Sequence, residues 1–130
     1  MKIFSRWGRK PRPERVCQKV RREYAPGEQE ALMIGILRGT PDDVQWHERY
    51  DAASDLEEFP SDAVVAALAE FACDPTQPDE TFVALCAESI AGIWVHRGAV
   101  DHDLLSRLTP WARREAEATV AHRAPELLTR

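Results

Sequence analysis

An all-α fold is what this sequence predicts, and three observations predict it. Apolar residues recur at helical spacing through almost the whole chain. No segment shows the strict alternation of apolar and polar residues that marks a half-buried strand. Proline, glycine and capping residues cut the chain into pieces of helical length. With 130 residues, 44% hydrophobic and 30% charged, the chain has the size and balance of one domain with a real core.

The chain opens on a basic arm. Residues 1–22 hold nine of the seventeen Lys and Arg (Lys2, Arg6, Arg9, Lys10, Arg12, Arg15, Lys19, Arg21 and Arg22) against Glu14 alone, so the arm carries +8 and the remaining 108 residues carry −13. Gly8, Pro11 and Pro13 rule out a continuous helix in its first part, so residues 1–13 are expected to be extended. A first helix is expected over 13–24, stopped by Pro26-Gly27, and a second over 28–38, where Leu32, Met33, Ile36 and Leu37 share one side and Gly39 supplies the stop. Thr40-Pro41-Asp42-Asp43 reads as a cap, a proline for the first helical position and acids for the positive helix end, which opens a third helix over 41–59. Ser61 caps a fourth over 62–73, Pro78 opens a fifth over 79–95 and Gly98 closes it. A sixth runs over 101–108, and Thr109-Pro110 either kinks it or caps a seventh over 111–122. Connections this short predict antiparallel hairpins packed in chain order.

The hairpins look repeated. A shift of 34 places Ala53 on Ala87, Leu56 on Ile90 and Phe59 on Ile93, and a shift of 40 places Val64 on Leu104, Val65 on Leu105, Leu68 on Leu108 and Phe71 on Trp111. The two units are RYDAASDLEEFPSDAVVAALAEF and LCAESIAGIWVHRGAVDHDLLSRL, and ARREAEATVAHRAPELL has the form of an incomplete third. Over residues 42–128 the chain resembles the HEAT-repeat family, although the usual Arg at the end of the second helix and the tight Gly-Asp-Pro turn of that family are missing. The resemblance implies a short α-solenoid, and an irregular α-helical bundle is the alternative. In a stack the segment 62–73, almost bare of charge, is expected to be an inner helix, with Val64, Val65, Leu68, Phe71 and Ala72 toward the core and Ala63, Ala66, Ala67 and Ala69 allowing close approach elsewhere.

The third helix carries the candidate site. Glu48, Asp51, Asp55 and Glu58 follow at steps of three, four and three, which places four carboxylates on one face, while Trp46, Tyr50, Ala53 and Leu56 make the apolar one. A solvated acidic stripe of this kind serves solubility, or it serves as the docking face for a basic partner, because aligned charge speeds and orients encounter.

Catalytic and metal signatures are poor. His47, His96, His102 and His122 are not spaced as ligand pairs on one helical face, and Asp101-His102-Asp103 is explained by acids at a helix start. The six glycines are isolated, which excludes a glycine-rich phosphate loop. Cys17, Cys73 and Cys86 are odd in number and widely spaced, so they read as reduced core residues, and Val83, Leu85 and Ile90 around Cys86 mark it as inert. Trp94 and Trp111 read as core and Trp46 as partly exposed. Trp7, Ile3 and Phe4 among the arm's bases resemble a weak membrane-surface or partner-binding peptide, and the alternative is an arm folded back with its bases neutralised by the acids of the body.

Together these features predict a cytoplasmic, non-catalytic protein-binding module without cofactor or metal. Small acidic HEAT-like chains resemble bacterial immunity proteins, and that resemblance implies an antitoxin-type role in which Glu48, Asp51, Asp55 and Glu58 engage the basic surface of a toxin. The alternatives are a nucleic-acid-associated protein using the basic arm, against which the −13 of the body would repel phosphate, and an adaptor subunit of a larger assembly.

Overall fold

The computed structural model describes residues 25–129. The basic arm and the helix expected over 13–24 lie outside them. The described chain is all-helical: α1 (Pro26–Arg38), α2 (Trp46–Asp55) continued by a 3₁₀ turn (Leu56–Glu58), α3 (Asp62–Ala72), α4 (Glu80–Arg97), α5 (His102–Arg107), α6 (Pro110–Arg123) and a 3₁₀ segment (Pro125–Thr129). No described helix is long and apolar enough to cross a membrane.

Most boundaries follow from capping chemistry. The side chains of Ser61, Asp79, Asp101 and Thr109 accept from the backbone N–H of Val64, Phe82, Leu104 and Ala112, at 3.2, 3.0, 3.0 and 3.3 Å. Gly39 and Gly98 end α1 and α4 at φ 69° and 77°, a left-handed conformation that glycine adopts without steric cost. Each is followed by the long backbone bond of a Schellman motif, Thr40 N to Gly35 O at 3.1 Å and Ala99 N to Trp94 O at 3.1 Å.

One boundary differs from expectation. Residues 41–43 form a turn in place of the first turn of a helix, with Val44 N bonded to Pro41 O at 3.3 Å. Thr40 is committed to the preceding helix, its hydroxyl donating to Gly35 O at 3.1 Å, so it does not cap the next one. The cap is Gln45, whose backbone N–H donates to Glu48 Oε1 at 2.9 Å in a reciprocal capping box, and α2 starts at Trp46.

Helix α4 is the hub. It buries Phe82, Val83, Cys86, Ala87, Ser89, Ile90, Ala91, Gly92, Ile93 and Trp94, and it packs against α6, α3, α2 and the 3₁₀ turn. Each large apolar side chain fully buried there contributes about 1.5–3 kcal/mol relative to exposure. The inner helix is therefore α4, where the sequence suggested 62–73. Helix α3 buries Val64, Ala67, Leu68 and Ala72 but leaves Asp62, Ala63, Ala66 and Glu70 exposed, with Val65 and Phe71 half-buried. An alanine-rich helix buries little area per residue, so it carries less of the core than a helix bearing Phe82, Ile90, Ile93 and Trp94.

Packing follows chain position in an alternating way. Helices α2, α4 and α6 lie side by side with α4 in the middle, and α1 packs on both α2 and α3. The expected pairing of 41–59 with 62–73 is not the close one, since α2 packs on α1 and α4, and α3 on α4 and α1. The connection between α5 and α6 is tied to α3 by Thr109 N donating to Ala72 O at 3.0 Å.

Candidate partner-binding surface

Helix α2 changes character along its length. Its first half exposes Trp46, His47 and Asp51, whereas Ala52, Ala53, Ser54, Asp55 and Leu56 are five successive buried residues, enclosed on every side. Helix α4 contributes to that enclosure through Ser89, whose hydroxyl donates to Ala53 O at 2.5 Å.

The predicted carboxylates are split by this change. Asp51 and Glu58 are exposed. Glu48 is half-buried and spends one oxygen on the Gln45 cap. Asp55 is only 3% exposed and is not part of any solvated stripe. The steps of three, four and three do bring the four residues to one angular sector of a helix. A continuous stripe would also require that sector to face water along the whole helix, and it does so at Asp51 and Glu58 but not at Asp55.

Around Arg49 lies a cluster that joins α2 to its neighbours. The Arg49 guanidinium stands 4.2 Å from the Trp46 ring centroid and 4.9 Å from that of Phe82, and Arg49 Nε donates to Leu37 O at 2.9 Å. Trp46 meets Phe82 and Tyr50 edge-on at 5.6 and 6.1 Å, and Phe71 meets Phe82 at 5.0 Å. Tyr50 donates its hydroxyl proton to Asp79 Oδ2 at 2.5 Å, a bond that, with burial, holds the phenol pKa above its ordinary value. Trp46 keeps 49% of its surface exposed, which agrees with the expectation of partial exposure. Trp111, expected in the core, is 38% exposed, with Arg114 5.7 Å from its ring centroid. A Trp and an Arg three positions apart on one helix was the available sequence sign of the α2 cluster.

Every arginine among the described residues is engaged within the chain. Arg38 pairs with Glu70, Arg97 with Asp62 at 3.0 Å, Arg107 with Asp103 at 3.2 Å, Arg113 with Glu117 at 3.3 Å and Arg123 with Glu57 at 3.0 Å. Arg49 and Arg114 lie over rings. Against these seven stand twenty carboxylates in residues 25–129. Burial first, and then the charge of Glu88, hold the Glu115 carboxyl above the usual range, opposed by Arg114.

Of the cysteines, Cys86 is buried and Cys73 half-buried, both as free thiols. Burial pushes the Cys73 thiol up, and the charge of Arg107 acts against it. Comparison with protein-family models, with curated proteins and with solved structures gives no match for this chain.

Proposed function

We propose that the chain is a non-catalytic protein-binding module that captures a partner with a basic surface, in the manner of an immunity or antitoxin protein. The observation that carries this reading is the charge balance: residues 25–129 hold twenty carboxylates against seven arginines, and Asp51 and Glu58 are exposed. Such a surface steers a cationic partner and repels phosphate. Trp46, exposed on the same helix and stacked on by Arg49, supplies an aromatic anchor of the kind that dominates binding energy at interfaces. The all-helical architecture is compatible with a short HEAT-like stack and equally with an irregular α-helical bundle, and either presents faces that serve as scaffolds. Asp55 has no direct part in this surface, because it is buried.

The test is a charge reversal at the exposed positions, Asp51→Lys with Glu58→Lys, in the full chain. A partner is captured from the source cell's lysate on the wild-type protein, identified, purified and returned to association kinetics. The variant should keep wild-type helicity and associate about tenfold more slowly at low salt, with a flatter salt dependence. A folded variant that associates at the wild-type rate would refute the acidic-surface reading.

A further inference from the structure

Helices α2, α4 and α6 form one layer, and α1 and α3 pack against it. Side chains that reach α1 and α3 fix how each helix of the layer is turned. On α4, Arg97 donates to Pro60 O at 2.8 Å and to Asp62 at 3.0 Å, at the entry to α3. Glu88 stands nine positions earlier, about two and a half turns, and so on the opposite side. Half-buried Leu85 and Val95 flank Glu88 there. On α2, Arg49 donates to Leu37 O of α1 at 2.9 Å and lies 5.7 Å from the Phe71 ring centroid of α3. Asp51, about 200° further round the helix, faces away from both.

Helix α6 joins the same face. Glu57 reaches from the 3₁₀ turn over α4, where its carboxylate fills the space that a Cβ on Gly92 would need, and it accepts from Arg123 of α6 at 3.0 Å. Gly92 lies one turn after Glu88, so this bridge crosses α4 on its outer side. Glu115 of α6 is near enough to Glu88 to feel its charge. Asp51, Glu57, exposed Glu58, Glu88 and Glu115 thus gather from three neighbouring elements on a face turned away from α1 and α3.

An occupant with matching chemistry belongs to the chain itself. Residues 1–22 carry +8, together with the apolar side chains Ile3, Phe4, Trp7, Val16 and Val20. They also join the described residues in a suitable place: Glu30 of α1 accepts from Ser61 Oγ at 3.0 Å, which sets the first half of α1 beside the segment that follows Glu58. Twenty-four residues precede Ala25. Extended, they span at most about 80 Å, against a radius of gyration of about 13 Å for a 100-residue domain, so the whole face is within reach.

We propose that the outer face of the α2–α4–α6 layer is a docking surface for the chain's own residues 1–22, whose bases pair with Asp51, Glu58, Glu88 and Glu115. On the protein-binding reading, this segment is a built-in competitor that an external basic partner displaces. The docking itself does not depend on that reading.

Lys2, Lys10 and Lys19 are the three lysines of the chain, and residues 25–129 contain none. A zero-length carbodiimide, which joins an amine to a carboxylate in contact with it, therefore reports the docking in the full chain at high dilution. Mass spectrometry of the cross-linked monomer should find Lys10 or Lys19 joined to Asp51, Glu58, Glu88 or Glu115. Reversing three bases together, Arg12→Glu, Arg15→Glu and Arg21→Glu, should lower that yield about tenfold, and about 1 M salt, which cuts the screening length to about 3 Å, should lower it similarly. A monomer without such links would overturn the proposal. So would links mainly to Glu70, Asp74 or Asp103, which lie off this face, or an unchanged yield in the reversed chain. No external partner enters the assay, so a failed capture experiment and a failed cross-link are told apart.

Discussion

Replacing Asp79 by alanine should loosen the joint that holds α2 against α4. The carboxylate serves two elements at once: Oδ1 accepts from Phe82 N at 3.0 Å as the cap of α4, and Oδ2 accepts the Tyr50 hydroxyl of α2 at 2.5 Å. Loss of an N-cap carboxylate costs about 1 kcal/mol. A hydrogen bond to a charged group contributes about 1.5–3 kcal/mol, and the lower end applies here because Tyr50 and Asp79 are only half-buried. Asp79→Ala should therefore destabilise by about 2.5 kcal/mol, Tyr50→Phe by about 1.5, and the double variant by about 2.5, because the two share one bond. The assay is equilibrium urea unfolding followed by circular dichroism, with the slope checked for constancy across the four proteins. If Asp79→Ala falls within about 0.5 kcal/mol of wild type, or if the two single effects add in full, the shared-bond account is wrong.

Two further outcomes are expected. Glu115 has a folded pKa above its ordinary 4.5, so its contribution to stability is full below that value and is lost as pH rises through the raised one. Glu115→Gln should remove that loss, which urea midpoints measured from about pH 3 to about pH 8 will show as a flatter profile than wild type. A Cβ at Gly98 would meet open space, so the cost of Gly98→Ala arises from φ 77° alone and should be about 1–2 kcal/mol, read from the same unfolding curves.

What the sequence determined by itself is what local chemistry determines. Ser61, Asp79, Asp101 and Thr109 each start a helix because a short side-chain acceptor reaches a backbone N–H three positions on, and Gly39 and Gly98 each end one because glycine accepts a left-handed φ. Met33, Leu37, Leu56, Val64, Leu68 and Ile90 could be placed in the core from spacing, since a helical period fixes which residues share a side. The surplus of acid in the body was equally legible, being a count. Thr40 marks the limit of that logic: it has the form of an N-cap, yet its hydroxyl serves the helix it follows, and Gln45 caps the next.

Tertiary packing decided everything that depends on which sides of a helix are covered. Asp51 and Asp55 share a sector of α2, yet one faces water and the other is 3% exposed, because the second half of the helix is enclosed and the first is not. Trp94 and Trp111 both lie in apolar periods, but only Trp94 falls on the helix that others surround. The role of α4 as hub, the Tyr50–Asp79 bond, and the gathering of Arg49 with Trp46 and Phe82 all join residues from different helices. Periodicity orders side chains around one axis, and the relative placing of several axes is set by how their side chains interlock.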